Sequence, residues 1–239
     1  KAIGLKPMED EYITMGMAAY GQISYVMDPW KNYHKGTKQY FDNPEDAAAS
    51  AQGYLEHELL KIMNIARKYS PYLCYGGGVA LNCVANSRIR PLFDKMWIFP
   101  NPGDAGSSLG AAAAYIDKKL NFTSPYLGYL IGRTINVREV VDHLLSHQYC
   151  GIANGRAEFG PRALGNRSLI ADPRRPIKDT VNKIKQRQAF RPFAPAILEE
   201  YADEYFEGPK NEYMQYVSKA LHDYDSVTHV DGTARVQVV

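Results

Sequence analysis

An α/β fold is what the sequence predicts, and two observations carry that reading. A short apolar run, a glycine turn and a helical stretch follow one another across residues 72–89, and the same order returns in outline across 95–120. Beyond a stretch rich in Pro, Gly and Asn, a third unit begins with an amphipathic run and a strand-like "YCGIAN". Strands alternating with helices through short turns are the pattern of α/β architecture, whose ligands sit at the C-terminal ends of the strands.

Each element has its own justification. "FDNPEDAAASAQGYLEHELLKIMNIARKY" (41–69) reads as a long helix. Asn43 is suited to cap it, Pro44 to its first position, and Glu45 and Asp46 to the positive end of its dipole. Leu55, Leu59, Ile62 and Ala66 recur at helical spacing and predict one buried stripe. Tyr72–Tyr75 is a strand, Gly76, Gly77 and Gly78 a turn, and a helix is expected from about Val79 to Ile89. "KMWIFP" is the next strand, "NPGD" a turn, and "AGSSLGAAAAYIDKKL" a helix of small residues. A domain boundary is expected within 121–136, dividing a part at 1–125 from a second at 133–239. "VREVVDHLLSHQ" then predicts a short helix with Val137, Val140, Val141, Leu144 and Leu145 as its apolar face.

The totals exclude several classes. A hydrophobic content of 45% and charged content of 23% belong to a core-forming protein. The net charge of +2 argues against a dedicated nucleic-acid or membrane-surface protein. That balance hides a regional bias: ten Lys/Arg stand against three Asp/Glu from Gly151 to Pro192, and three against seven from Tyr201 onward. Cys74, Cys83 and Cys150 lack metal-type spacing and suggest no disulfide framework, which points to a reducing cytoplasm. No apolar run approaches the roughly 18 residues that span a bilayer. A start at Lys1 and an end on "RVQVV" read as a piece of a longer protein.

Three motifs have chemical potential. Gly76–Gly78 after a strand let main-chain N–H groups approach a ligand, with nucleotide phosphate the natural guest and Asn82 the polar contact; a plain tight turn is the alternative. Asp104 reads either as a helix cap or as one carboxylate of a metal site. His34 and His57 have no histidine partner at i+4, so neither is assigned as a ligand. The third motif is "GRAEFGPRALGNRS" (155–168), with Arg156, Arg162 and Arg167 set among Gly155, Gly160 and Gly165. "NKIKQRQAFRPFAP" adds Lys183, Lys185, Arg187 and Arg191. Guanidinium keeps its charge and suits phosphate and carboxylate, and Phe159, Phe190 and Phe193 beside these cations imply partial burial. Buried cations need anions, so an anion site is expected here.

Together these motifs resemble the O-carbamoyltransferase family of the nodulation-factor and antibiotic-tailoring (NodU/CmcH) type. The matching runs are "EYITMGMAAYG", "YGGGVALNCVANSRI", "NPGDAGSSLGAAA", "GRAEFGPRALGNRSLIADPR", "KIKQRQAFRPFAPAILEE" and "HVDGTARVQVV", in family order from residue 11 to 239. The resemblance implies the C-terminal part of a sugar-kinase/Hsp70/actin-like (ASKHA) carbamoyl-transfer domain, followed by the first part of a YrdC-like domain. It implies that ATP and carbamoyl phosphate yield carbamoyl-adenylate and pyrophosphate, and that the carbamoyl group passes to a hydroxyl of a sugar or other small acceptor. Carried over by position, Gly77, Gly78 and Asn82 match the nucleotide turn, and Asp104 the aspartate of a divalent site, iron-type or magnesium. Lys185 and Arg187 match the "KxR" pair that meets phosphate. Arg156, Arg162 and Arg167 match the arginine-rich loop, with Glu158, Asn166, Ser168 and Arg191 as substrate-side neighbours. The family's paired metal histidines and "TSFN"-type run fall outside this sequence, so the chain alone is expected to be incomplete. A homodimer is compatible with this reading. Two other readings are an RNA-binding or tRNA-modifying relative using the basic 151–192 region, and a non-catalytic relative that keeps the fold.

Overall fold

A computed structural model describes residues 3–7, 9–24, 41 and 43–239. His34 lies outside the described residues. Helix α1 (Glu11–Met17) passes into a 3-10 turn at Ala18–Tyr20. Helix α2 (Pro44–Arg67) opens as its sequence dictates, with the Asn43 side chain accepting from the Asp46 amide at 2.7 Å and Pro44 in the first turn. Its buried line differs from the expected one. Leu59 and Ala66 lie on it as expected, but Met63, 5% exposed, takes the place of Ile62, which is 60% exposed.

Strand β1 (Tyr72–Tyr75) leads through the glycine turn and a 3-10 turn at Gly78–Leu81 into α3 (Cys83–Ile89). The helix therefore starts four residues later than Val79, at the point where the Asn82 side chain accepts from the Ala85 amide. Strand β2 (Lys95–Ile98) pairs in parallel with β1, Tyr72 opposite Lys95 and Tyr75 opposite Ile98. Alternation turns Leu73, Tyr75 and Met96 onto a core of Leu59, Met63, Ala85, Ile89 and Phe93. Helix α4 (Ser107–Ile116) ends where Asp117 takes a left-handed conformation, φ 48°, so Lys118–Leu120 stay outside it.

Beyond it, β3 (Leu130–Ile131) lies antiparallel to β5 (Gly155–Arg156), and β4 (Tyr149–Ala153) antiparallel to β6 (Arg167–Ala171). Helix α5 (Val137–His147) packs on β4. Only part of its expected apolar face is covered: Val140 and Leu144 are half-buried, whereas Val137 and Leu145 are 68% and 61% exposed. Helix α6 (Lys178–Ile184) carries the second basic cluster at its C-terminal end. The remaining elements are β7 (Ala196–Ile197), α7 (Ala202–Tyr205), β8 (Phe206–Glu207), β9 (Ser218–Ala220), β10 (Thr233–Ala234) and β11 (Gln237–Val238). They form a three-stranded β10–β9–β8 sheet and a β11–β7 pair around Phe206, Ala234 and Val236.

The two parts of the chain share packing. Ile98 and Ala80 meet Tyr216 in one buried cluster. Asn86, fully buried, donates to the Gln215 carbonyl at 3.0 Å, and the Ser87 hydroxyl both donates to the Val217 carbonyl and accepts from its amide. Among the described residues no helix is long and apolar enough to cross a membrane.

Candidate active site

The arginine-rich loop is held by its own carboxylate. Glu158 Oε1 accepts from the amides of Leu164 (2.7 Å), Asn166 (2.8 Å) and Arg167 (3.3 Å). Burial alone would raise the Glu158 carboxyl, but these backbone donors prevail and hold it below the usual carboxylate value. The Asn166 side chain donates to the Arg156 carbonyl, and the Ser168 hydroxyl accepts from the Gly165 amide. Gly165 needs φ 117°, which an L side chain rarely adopts. Arg167 is spent inside the loop, donating to the carbonyls of Asn154, Asn166, Tyr129 and Gly155. Arg156 donates to the Gly128 carbonyl at 3.2 Å and is exposed. Of the three loop arginines Arg162 lines the cavity described below, and Arg156 and Arg167 are not among its lining.

The second basic cluster is ordered by a buried amide. Asn182, 2% exposed, donates to the carbonyls of Ala189 and Arg191 and accepts from Arg187 Nε. This ties the 185–191 turn, in which Gln186 adopts φ 49°. The Arg187 guanidinium lies 4.2 Å from the centre of the Phe193 ring, with Lys185 Nζ at 6.0 Å from the same ring, and Arg191 covers Tyr12 at 4.7 Å.

These pieces meet at one cavity, open to solvent on one side. Arg162, Arg187, Arg191 and Arg235 line it, facing a wall made by Tyr12, Met15 and Gly16 of α1. Arg235 points there because Ala234 and Val236 on either side are turned into the core. None of the four is in an ion pair among the described residues. Arg162 donates to the Leu81 carbonyl, Arg187 to Pro192 and Asn182, and Arg235 Nε is buried with no hydrogen-bond partner. Asp231, the acid on the lining, is engaged by Thr233 and lies 3.8 Å from His229. Burial, then Arg235 and Arg191, push Arg162 down to about 10, with Cys83 working the other way. Burial, then Arg191 and Arg235, bring Arg187 to about 10 as well. Lys185 is lowered by burial and by Arg187, Arg191 and Arg235, although it does not line the cavity itself. His229 is lowered mainly by burial, which keeps it neutral at pH 7.

Sequence reasoning did not single out Arg235, Tyr12 or Asp231. The alternation of "TARV" at 233–236 was the available signal for Arg235, since apolar neighbours on both sides direct the cation to the opposite face.

The glycine turn is not part of the lining of this cavity. Gly76, Gly77 and Gly78 are exposed, and no atom lies within 4 Å of where a Cβ would project from any of them. Gly77, at φ 94°, donates its amide to the Pro102 carbonyl at 2.8 Å, which ties the turn after β1 to the turn after β2. Asn82 caps α3 and exchanges two hydrogen bonds with Gln52. Cys83 and Val84, next along, line the cavity. Asp104 is exposed in the 3-10 turn before α4 and makes no cap hydrogen bond. Among the described residues no three metal-binding side chains converge, so those present do not by themselves form a metal site.

Residues 29–113 match the family model described as carbamoyltransferase N-terminus, and residues 141–239 the one described as carbamoyltransferase C-terminus. Nodulation protein NolO of Bradyrhizobium diazoefficiens is 32% identical across 97% of this chain and 54% of its own length. Nodulation protein U of Sinorhizobium fredii is 35% identical across 82% of this chain and 40% of its own, and that of Azorhizobium caulinodans 37% across 77% and 36%. The chain thus spans about half, or less, of the length of these relatives. With both terminal family models matched in order along it, the chain belongs to the carbamoyltransferase family.

Proposed function

We propose that this chain is part of an ATP-dependent O-carbamoyltransferase, with the carbamoyl-adenylate-forming site at the arginine-lined cavity. In this reading 133–239 is the YrdC-like part and 1–125 the ASKHA-like, carbamoyl-transferring part. The observation that carries it is the set of four guanidiniums on one cavity, none of them in an ion pair among the described residues. Carbamoyl phosphate and ATP are both polyanions, and fixed cations offset their mutual repulsion and the charge that builds in the transition state.

The balance of the reaction also requires water. Hydrolysis of carbamoyl phosphate gives carbamate and inorganic phosphate. A carbamate oxygen then bonds to the α-phosphorus of ATP as the bond to pyrophosphate breaks. Attack by an acceptor hydroxyl on the carbamoyl carbon releases AMP and completes the transfer. Arg162, Arg187, Arg191 and Arg235 bind and orient phosphate groups, and Lys185 adds charge at the rim. The exposed Gly76–Gly78 turn, open in front of its backbone, is the proposed nucleotide contact of the transfer step.

The test is made on the full-length protein. With ATP and carbamoyl phosphate it should release pyrophosphate and form carbamoyl-AMP detectable by mass spectrometry. Arg187→Ala should lower that rate by about 10²-fold. No pyrophosphate and no adenylate from the wild type would overturn the proposal. The RNA reading is weaker, because Arg162, Arg187 and Arg191 line a cavity and Arg167 is satisfied by carbonyls, whereas a nucleic-acid track needs exposed cations.

A further inference from the structure

Of the six histidines in the chain, only His143 and His147 stand four residues apart. Both lie on α5, and a spacing of four sets side chains one above the other on one face of a helix. Their rings are stacked, with centroids 4.2 Å apart and planes inclined by 17°. Both residues are exposed, so the pair is open to solutes.

One hydrogen bond fixes how the second ring presents itself. His147 Nδ1 lies 3.3 Å from the His143 carbonyl oxygen. A carbonyl only accepts, so Nδ1 carries the hydrogen of the neutral ring and the lone pair is left on Nε2. A backbone carbonyl behind the far nitrogen is a common support of a metal-bound imidazole, because it sets the tautomer and holds the ring.

The surroundings favour a cation. His147 is the last residue of α5, where the carbonyl end of the helix carries partial negative charge. No lysine or arginine stands in that last turn to repel an ion. Glu139, four residues before His143 in the same row, is exposed and adds a carboxylate one turn away. Its Oε1 accepts from the Asn136 side chain at 2.9 Å, so it acts as nearby charge and not as a third ligand.

We infer that His143 and His147 form a two-imidazole chelate for a divalent transition metal of the zinc, nickel and copper class. Two protein nitrogens leave the remaining coordination positions to water, which suits an exposed, exchangeable site. Imidazole selects these ions over magnesium and calcium, which take oxygen ligands. The ion would staple the last turn of α5 just before Gln148, at φ 74°, turns the chain into β4. The inference rests on neither the arginine cavity nor the carbamoyl chemistry.

Calorimetric titration of the untagged full-length protein with zinc chloride, after stripping with EDTA, tests it. The wild type is compared with His143→Ala, His147→Ala and the double variant. The wild type should bind one zinc equivalent that each single variant binds on the order of 10²-fold more weakly, since losing either ring turns a chelate into a single contact. The double variant should be little worse than either single one. With magnesium chloride in place of zinc, wild type and variants should not differ. Hydrogen exchange gives the location: amides of 144–148 should slow with zinc in the wild type and stay unchanged in the double variant. Identical zinc titrations of wild type and double variant would overturn the inference. So would a loss confined to one of the two single variants, because a chelate needs both rings. A magnesium response equal to that of zinc would reduce the site to general attraction around Glu139 and also end the case.

Discussion

Arginines close together in sequence have different fates here, and the difference is set by backbone direction. Arg156, Arg162 and Arg167 share a glycine-bent loop, yet Arg162 alone faces the cavity. Arg167 is consumed by the carbonyls of Asn154 and Asn166. Residue types told that the loop was basic and folded, but not which cation points where, because each glycine can take conformations that spacing does not encode. Glu158 is the residue on which the loop depends. Its folded carboxyl lies below the ordinary value, so the stability it contributes is complete above that value. It is lost as pH falls through the lower, folded one. Glu158→Ala leaves three amides without their acceptor and should cost roughly 1–3 kcal/mol, together with weakened pyrophosphate binding through a displaced Arg162. Glu158→Gln keeps an acceptor oxygen and should restore most of that binding. Thermal melts and pyrophosphate titrations of both variants check this. Equal loss in both would mean that the negative charge itself acts at the site.

Helices and strands were largely legible, because capping and periodicity are local physics. Asn43 and Pro44 place the start of α2, and β1 and β2 lie where their apolar runs do. What local pattern could not supply was the face each helix buries. Ile62 and Met63 are both apolar, and only the position of α3 and the sheet selects Met63. Similarly, Val137 and Leu145 belong to a good amphipathic stripe, yet both stay exposed on the helix that packs on β4. Asn82 was read as a nucleotide contact, and its amide is already committed to Ala85 and Gln52. Asn82→Ala should therefore lower stability by about 1 kcal/mol through the lost cap, more if Gln52 finds no new partner. Asn82→Asp keeps the cap and should recover most of the loss in a urea melt. If both variants melt like the wild type and only nucleotide binding falls, the amide serves the ligand and not the helix.

At the scale of the whole molecule, the cavity exists because segments far apart in sequence are locked together. No single-sequence pattern announces that α1, the start of α3 and the 229–235 segment line one cavity, since such pairing is specified by packing and not by spacing. Ser87 shows how narrow the lock is. Its hydroxyl accepts from the Val217 amide at 2.8 Å and donates to the Val217 carbonyl at 3.0 Å, and Val217 lines the arginine cavity. Beside it, Asn86 donates to Gln215, whose own amide reaches the carbonyls of Ile98 and Phe99. Ser87→Ala removes a single oxygen and strands one donor and one acceptor, a cost of roughly 1–3 kcal/mol. Because the lost bonds join the two parts of the chain, the deficit should be local before it is global. Amides of 215–217 should exchange faster while those of α2, whose hydrogen bonds lie within the helix, keep their protection. Pyrophosphate bound at the proposed phosphate site, which Val217 lines, should recover part of the protection there. Uniformly faster exchange, with no response to the anion, would show that the seam and the cavity are energetically separate.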